Sequence, residues 1–479
     1  MKPDSQNPII VSSYGFNIPC RRFLIRANVT RDRRLPLVDE FVLRTLKLAE
    51  QLPSRRIASF FGFTDAEAEA VMADLAAAGL IIIRDEFVEL HPSAHAHFRG
   101  ADDGAPRVVD VDPWIDRLWF DLVSRNMMAP DRSRPTRNLL DIKPDGMARE
   151  LPVAFARKAF EENFAEYLRK VRRIANPDRF GLYSVSDVEP ERFGAVVLRG
   201  TEELVFDPQP RLRPHLIDVE TENLLRYRPL ANAMNDAYRA LSGAEPTAGG
   251  LAEFGKMLSD STVSEAHNDA GHFDYTKWMS LNVASNIADR QPIIGAPYIA
   301  RNVELLIKLL ESRPKKVGSD GSEVEILWFR PGGSSWGVTP DLQESMAALK
   351  SAIRRKHGKV TFRTKLIVPP AARRENPRRF DRVFDEGFIA PAGHMSPAVE
   401  VLHIVGMASV VLVRAAFSAS VSASVGFAFA DQSGVERVHK ALRWEKVRPR
   451  AEEVWMNVGR GDETAVSNLL QEHESADEF

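Results

Sequence analysis

The sequence contains almost no cysteine and no long uninterrupted apolar segment. Its single cysteine, Cys20, excludes an internal disulfide bond and a zinc site built from cysteines. The longest apolar stretch, Val399–Ala430, is interrupted by His403, Arg414 and several serines, and its alternation of valine and serine favours strands over a membrane helix. The start of the sequence also lacks the charged segment and apolar core of a signal peptide. We therefore expect a cytoplasmic protein that does not contact the membrane.

An excess of charge of one sign is also missing, as are the common catalytic motifs. A net charge of −2 over 479 residues gives the whole chain no attraction to nucleic acid or anionic lipid, so a charged partner must be bound locally. Neither an H-E-x-x-H pair nor a P-loop occurs. The cluster His267, Asp269, His272 and Asp274 matches no metal-ligand spacing. We expect no metal and no cofactor, and the missing motifs are modest evidence against an enzyme.

Residues from about Leu35 to Pro92 have the pattern of three helices followed by a hairpin. Thr64 and Glu67 form a capping-box motif, which marks the start of the third helix, and Gly79 marks its end. A glycine-containing turn between the second and third helices is typical of a helix-turn-helix unit. The predicted elements are helices over Leu37–Glu50, Arg55–Phe61 and Thr64–Ala78, and strands over Leu80–Ile83 and Phe87–Leu90.

This order of elements resembles the winged helix superfamily, over about 60 residues of the chain. The resemblance implies a third helix that enters the major groove of DNA, where Lys and Arg contact the phosphates. Here that helix carries only acidic charges, at Asp65, Glu67, Glu69 and Asp74. Arg55, Arg56 and Arg84 remain as candidate contacts to a nucleic acid backbone. Because the superfamily also contains many protein-interaction modules, we favour a protein partner for this segment over DNA.

The middle of the chain combines helices with antiparallel strands. We predict an aromatic helix at Trp114–Asn126 within a connector and a longer helix at Ala154–Ile174. A small meander of three strands should follow, at Gly181–Val188, Gly194–Leu198 and Glu203–Phe206, because turn-forming residues separate these runs. Residues 216–260 return to a helical pattern.

From about residue 290 strands and helices alternate, which indicates an α/β layer domain. We expect two further strands within Val399–Ala430, a helix at Gly434–Leu442, and an acidic, solvated tail from Gly461 to Phe479. The alternating elements are predicted as strand Pro292–Gly295, helix Ala300–Glu311, strand Glu323–Phe329, helix Asp341–Arg355 and strand Val360–Val368. The fold class is therefore α+β and multidomain, with a winged-helix domain (1–100), a connector (101–150), a mixed helix and antiparallel-strand region (151–260), an α/β domain (261–455) and a tail (456–479).

The α/β domain contains an unusual concentration of basic residues between Lys350 and Arg382. Clustered Lys and Arg are the usual mark of phosphate or nucleic acid binding. The alternative, which the sequence leaves equally open, is a solvated face that acidic residues of the tail partly neutralise. The candidate phosphate-binding residues are Arg330, Arg354, Arg355, Lys356, Lys359, Arg363, Lys365, Arg373, Arg374, Arg378 and Arg379.

Arg330 begins a glycine-rich segment that ends at Gly337 and follows a predicted strand, where α/β folds bind ligands. Its backbone amides are a candidate anion site, although an ordinary loop is favoured.

The order of strands, helices and a histidine-led strand pair also resembles the phospholipase D-like fold, whose catalytic motif is His-x-Lys. His394 and His403 are the candidate histidines; because Ile404 and Val405 follow His403, the lysine is missing and this resemblance implies an inactive site.

Three functional hypotheses follow. The first is a noncatalytic regulator or adaptor, bacterial in origin, with a winged helix and a basic α/β domain that binds nucleic acid or a partner protein. The second is a divergent phospholipase D-like phosphodiesterase or nuclease that uses His394 and His403. The third is a subunit of a bacterial antiviral defence complex, in which the acidic helix binds a partner.

Overall fold

The computed structural model describes residues 8–98, 106–128, 137–206, 209–216, 228–285, 290–312 and 323–457. In these residues the strands are β1 (Ile9–Arg34), β2 (Gln51–Pro53), β3 (Ile81–Arg84), β4 (Phe87–Leu90), β5 (Arg107–Asp121), β6 (Met127–Met128), β7 (Leu140–Asp141), β8 (Phe180–Val205), β9 (Arg211–Leu216), β10 (Arg290–Ile294), β11 (Glu323–Phe329), β12 (Thr361–Val368), β13 (Glu386–Ile389), β14 (Val399–Ile404), β15 (Ala408–Ala416), β16 (Ser422–Phe429) and β17 (Glu452–Met456). The α-helices are α1 (Leu37–Ala49), α2 (Ser54–Phe61), α3 (Asp65–Ala77), α4 (Gly146–Glu150), α5 (Pro152–Glu162), α6 (Phe164–Glu166), α7 (Arg228–Arg239), α8 (Ala248–Leu258), α9 (Thr262–Glu265), α10 (Tyr275–Ser285), α11 (Ala300–Ser312), α12 (Asp341–His357), α13 (Gln432–Leu442) and α14 (Trp444–Val447).

The chain divides into two compact units. The winged-helix unit comprises Cys20–Pro130 and Pro144–Gly194, and the α/β unit comprises Met1–Pro19, Asp131–Lys143 and Ala195–Phe479. The division into five segments expected from the sequence stays a prediction. The expected class, a multidomain α+β protein, is confirmed because three separate sheets occur together with helices in the described residues.

Residues 37–90, called the winged helix below, contain the predicted elements in the predicted order. Thr64 caps α3: its side chain accepts a hydrogen bond from the Glu67 amide, and the Glu67 carboxylate accepts one from the Thr64 amide at 2.8 Å. Strands β2, β4 and β3 form a small antiparallel sheet. Its strand β2 did not appear in the sequence prediction, because three residues are too few to show a pattern. Leu46, Ile57, Leu75 and Val88 are among the side chains of a common core.

A second core of the same unit lies between strands and helices. Strand β5 pairs antiparallel with the second half of β1, in register from Cys20 with Asp121 to Arg34 with Arg107. Phe23 and Phe120 from these strands pack with Phe155 of α5 at ring distances of 5.6 to 5.9 Å. The predicted helix Ala154–Ile174 is present but interrupted: α5 ends at Glu162, and a π-helical turn occupies Tyr167–Val171.

The α/β unit contains an eight-stranded mixed sheet with the order β10-β16-β15-β14-β11-β12-β13-β17. The pairings make β10, β11, β12, β13 and β15 run in one direction. Their last residues therefore lie along one edge of the sheet, called the carboxyl edge below. In open α/β sheets ligands bind beyond this edge.

Helices cover both faces of this sheet. Along β15, Val410 and Leu412 pack with α11 and α12 on one face, and Val411 and Val413 pack with α8, α10 and α13 on the other. Because both faces are buried, the strands read as continuous apolar runs rather than alternating ones. The predicted α/β layer is confirmed, and its predicted elements from residue 290 to 368 agree with the structure within two residues at each end.

Three predictions from the sequence are wrong. The aromatic helix Trp114–Asn126 is strand β5 for most of its length, because its apolar residues are spaced by four, which fits a helix and a strand equally well, and the long pairing with β1 decides. The predicted meander over Gly181–Phe206 is one continuous strand, β8. The segment around Glu191, where a turn was expected between the first two strands, stays extended. Arg22 and Arg117 bind Glu191 there at 2.5 and 3.1 Å. Three strands rather than two fill Val399–Ala430.

Every helix in the described part of the chain is too short or too polar to cross a lipid bilayer. The predicted acidic tail from Gly461 to Phe479 lies outside the described residues.

Candidate functional site

Residues 37–90 expose an acidic surface on α3. In α3, Ala68, Met72 and Leu75 are buried, whereas Asp65, Glu69 and Asp74 are exposed. Residues 37–90 contain ten acidic and five basic side chains, a formal charge of −5. A phosphate backbone would therefore be repelled at the surface that normally binds it.

The three predicted backbone contacts of the winged helix have different surroundings. Arg55 and Arg56 are exposed on α2. Arg84, at the end of β3, is also exposed, but its guanidinium pairs with Glu89 at 3.1 Å. These cations are too few to reverse the acidic charge around them.

The basic residues of the α/β unit do not form one surface. Strand β12, with eight residues at about 3.3 Å each, spans roughly 26 Å and separates two groups. Arg363 and Lys365 lie within β12 itself. Beyond the carboxyl edge lie Arg330, Arg373, Arg374, Arg378 and Arg379, and at the opposite edge lie Arg354, Arg355, Lys356 and Lys359. The concentration in the sequence is thus divided between opposite edges of the sheet.

Most of these cations are already bound within the unit. Lys356 donates to the carbonyl oxygens of Leu310 and Glu311 at the end of α11, and Arg354 lies 5.1 Å from the ring of Phe362. The ion pairs are Arg330–Glu375, Arg355–Glu311, Arg363–Glu386, Lys365–Glu325 and Arg373–Glu452. The acids of these ion pairs belong to the α/β unit, and the phosphate-binding role of individual residues stays a prediction.

Arg330 is a structural cation of the carboxyl edge. Its side chain is fully buried and donates to Glu375 at 2.5 Å and to the Gly333 carbonyl at 3.2 Å. Arg379 lies close to it, and burial together with the charge of Arg330 lowers the pKa of Arg379 to about 10. Arg330 therefore holds the loop that follows β11 rather than facing solvent.

The glycine-rich segment from Arg330 to Gly337 uses its amides internally. Gly332 donates to Pro397, Ser335 to Ser242, and Gly337 to the Tyr298 hydroxyl, at 2.8, 3.1 and 3.3 Å. Gly333 has a φ of 92°, and a Cβ there would lie 2.6 Å from the Ser242 carbonyl oxygen. The glycine thus permits close contact with the segment 242–244, and the geometry favours the ordinary loop over an anion-binding one.

The two candidate histidines lie apart from one another. His403 is fully buried within β14, where Nδ1 lies 2.8 Å from Ser409 Oγ and Nε2 lies 3.2 Å from His439 Nδ1. Burial and the neighbouring His439 lower the pKa of His403 to about 3. His394 follows β13, half-buried against Phe329. The hydrolase hypothesis needs an accessible histidine nucleophile, so it gains no support from the buried ring of His403. Among the described residues no group of three or more His, Cys, Asp or Glu is placed to hold a metal ion.

The carboxyl edge instead contains a cavity of about 450 Å³. It lies where β10, β11 and β15 end and where β14 and β16 begin. Side chains from distant parts of the α/β unit line it, including Tyr14, Tyr238, Tyr298, Trp336, Glu400 and Arg414. Ser422 and Ser424 of β16 complete one wall.

Glu400 and Arg414 are two of the charged groups that line this cavity, together with Glu202, Arg239 and Glu245. Glu400 is 2% exposed, and its Oε1 accepts hydrogen bonds from Trp328 Nε1 at 2.9 Å and Trp336 Nε1 at 2.7 Å. Burial raises the pKa of Glu400 to about 7, although both indoles oppose the shift. Arg414 donates from Nε to the Ala244 carbonyl at 3.1 Å. The arrangement offers one carboxylate oxygen and the guanidinium ends to a small molecule.

Sequence reasoning did not identify this cavity. The available signal was the position of Arg414 and the serines inside Val399–Ala430, since polar residues in a buried apolar run require partners. That interruption had served only to exclude a membrane helix. The partners themselves come from residues 11 to 424, and nothing in their spacing indicates that they meet.

Comparison with known proteins adds little. No protein-family model matches the chain, and no curated protein matches it significantly. A solved structure of TrmBL2, described as an archaeal chromatin protein with a novel mode of DNA binding, aligns with 88% of this chain and 95% of its own. The identity is 9% and the TM-score is 0.20, which is too low to indicate a common fold.

Proposed function

We propose that the protein is a noncatalytic regulator or adaptor whose winged helix binds another protein. The observation that carries this proposal is the formal charge of −5 on a complete winged helix with an acidic, exposed face on α3. The same charge that repels a phosphate backbone attracts a basic protein surface.

An exposed aromatic side chain beside the acidic face supports a protein partner. Phe60, at the end of α2, is 73% exposed. Its ring packs edge-on against Phe61 at 4.9 Å, and Phe61 stacks on Phe63 at 5.5 Å, just before α3 begins. Aromatic anchors next to charged groups are typical of protein interfaces.

The test is isolation of cross-linked complexes from the organism that encodes the protein. The full chain is compared with the double variant Glu69→Lys, Asp74→Lys and with the matched control Arg55→Ala, Arg56→Ala, each with and without nuclease. We expect a protein that the wild type and the control retain after nuclease treatment and that charge reversal reduces by about tenfold. Loss of that protein on nuclease treatment, or equal recovery by the charge-reversed variant, would contradict the proposal.

Nucleic acid is a second candidate partner, through a different surface. The loop of residues 370–382, called the arginine loop below, contains Arg374, Arg378 and Arg382, and none of these forms an ion pair with a described carboxylate. Exposed arginines without counter-ions are the residues that phosphates attract. A mobility shift with random duplex and single strands at low salt tests this function, and the variant Arg374→Glu, Arg378→Glu should abolish any shift.

The cellular location and the membership of a particular complex stay predictions. Neither a cytoplasmic location nor membership of a bacterial antiviral defence complex has a structural observation of its own. Gene neighbourhood is the observation that tests the second.

A further inference from the structure

The cavity of the α/β unit contains a cation, Arg414, that forms no ion pair with a carboxylate of the described residues. Arg414 lies near the end of β15, opposite Ser424 of β16, and its backbone amide is bound to Ala398. Of its side-chain nitrogens, only Nε has a partner, the Ala244 carbonyl. Among the described residues no carboxylate approaches the guanidinium within ion-pair distance. Burial lowers the pKa of Arg414, and the more distant charges of Glu202 and Glu400 oppose that shift. An arginine keeps its charge even when buried, so its two terminal nitrogens require an acceptor.

The acids nearest to Arg414 are engaged elsewhere or face the same cavity. Glu202 accepts a hydrogen bond from the Tyr238 hydroxyl. Glu400 binds both indoles through Oε1, and its Oε2 accepts no hydrogen bond from the described residues. The cavity thus presents a donor fork from Arg414 and an acceptor from Glu400 Oε2.

The remaining wall fixes the size and polarity of a suitable molecule. Hydroxyl groups of Ser422, Ser424 and Tyr298 and the rings of Tyr238 and Trp336 line the cavity with Arg414 and Glu400. Glu202, Arg239 and Glu245 are the other charged residues of the lining. A volume of about 450 Å³ lies within the range of small-molecule sites and is too small for a polymer. Gly243 leaves room at the guanidinium, since a Cβ there would lie 3.1 Å from Arg414 Nη2.

We infer that this cavity binds a small organic anion, whose carboxylate or phosphate group pairs with Arg414 and whose hydroxyl or amino group donates to Glu400. Planar guanidinium groups bind both kinds of oxyanion with two parallel hydrogen bonds. Because the ligand must also carry a group that donates a hydrogen bond to Glu400, an organic anion fits this site better than a simple inorganic anion.

Isothermal titration calorimetry on the full chain tests the site with glycolate, glycerol 3-phosphate, inorganic phosphate and glycerol as probes. We expect one of the two organic anions to bind, and the one that does identifies the oxyanion as carboxylate or phosphate. Glycerol, which lacks the anion, should not bind, and inorganic phosphate should bind more weakly than the organic anion. The inference fails if neither organic anion binds up to about 10 mM, or if glycerol binds as well as they do.

Variants locate the binding. Arg414→Gln should weaken binding by at least about tenfold, and the surface control Arg382→Gln should leave it unchanged. Ser422→Met fills the cavity and leaves the charged groups intact, so it should also abolish binding, in contrast to Ser418→Met in the turn before β16, outside the cavity lining. If Ser422→Met binds like the wild type, the anion binds elsewhere and the inference is wrong, whether or not Arg414→Gln folds.

Discussion

Burial favours the neutral form of Glu400, whereas a ligand group that donates a hydrogen bond to it favours the carboxylate. Its pKa in the folded chain is about 7, against an ordinary value of 4.5, mainly because burial disfavours the carboxylate. A raised acid pKa means that the folded state binds a proton that the unfolded state releases. The contribution of the neutral Glu400 carboxyl to the stability of the folded state is therefore complete below pH 4.5. It is lost as the pH rises to 7 and above.

We predict that Glu400→Gln removes this dependence. The amide oxygen can still accept from Trp328 and Trp336, and the side chain no longer ionises. Relative to wild type, the variant should gain up to about 3 kcal/mol in free energy of unfolding between pH 4.5 and pH 8, as the wild type loses it. Urea unfolding followed by circular dichroism at both pH values measures the difference. If the free energy of unfolding of the two proteins changed in parallel with pH, Glu400 would not be held neutral.

At the scale of elements, the eight-stranded sheet depends on close contact between β15 and β16. Gly426 of β16 lies opposite Leu412, and an added Cβ would meet the Val411 carbonyl oxygen and lie 2.9 Å from Leu412 Cα. Backbone atoms in the middle of a sheet cannot move aside without breaking ladder hydrogen bonds. Gly426 therefore allows β16 to pack against its neighbour.

We predict that Gly426→Ala lowers the free energy of unfolding by at least about 1–3 kcal/mol. The matched control is Gly249→Ala in α8, where an added Cβ meets nothing within 4 Å and a helical alanine should stabilise by roughly 0.5–1 kcal/mol. Urea midpoints of both variants provide the measurement, and similar midpoints for the two would refute the argument.

The elements differ in how far the sequence could predict them. Helix α3, with its capping box, and the alternation from β10 to β12 were predictable because their signals are local. Strands β5 and β8 were not, since their lengths follow from pairing with β1. The site was least predictable: Glu400 and Arg414 come together with Tyr14 and Tyr238 only through the complete fold. Of the arginines that the sequence did single out in the α/β unit, Arg330, Arg355, Arg363 and Arg373 are bound to acids of the same unit.

At the scale of the whole molecule, charge is distributed rather than concentrated. The winged helix has a formal charge of −5 within a total of −2, and the basic residues of the α/β unit are divided between two edges of a sheet. A nucleic acid would therefore meet only a few cations at once, those of the arginine loop.

We predict a shallow dependence of any nucleic acid affinity on salt. About three phosphate contacts give a slope near −3 for log K against log salt concentration, compared with about −9 for ten contacts. A filter-binding assay with a random duplex over a range of salt concentrations measures the slope. A slope near −9 would mean that both basic groups bind one nucleic acid together.

The two indoles that share Glu400 Oε1 give the cavity its own spectroscopic reporter. Trp328 and Trp336 donate to the same oxygen from 2.9 and 2.7 Å, so the excited state of each indole responds to whether that carboxyl group is charged. Proton uptake by Glu400, or a ligand that holds it ionised, should change the intrinsic emission of the protein without any attached dye. Occupancy of the cavity can then be followed in real time on the unmodified chain.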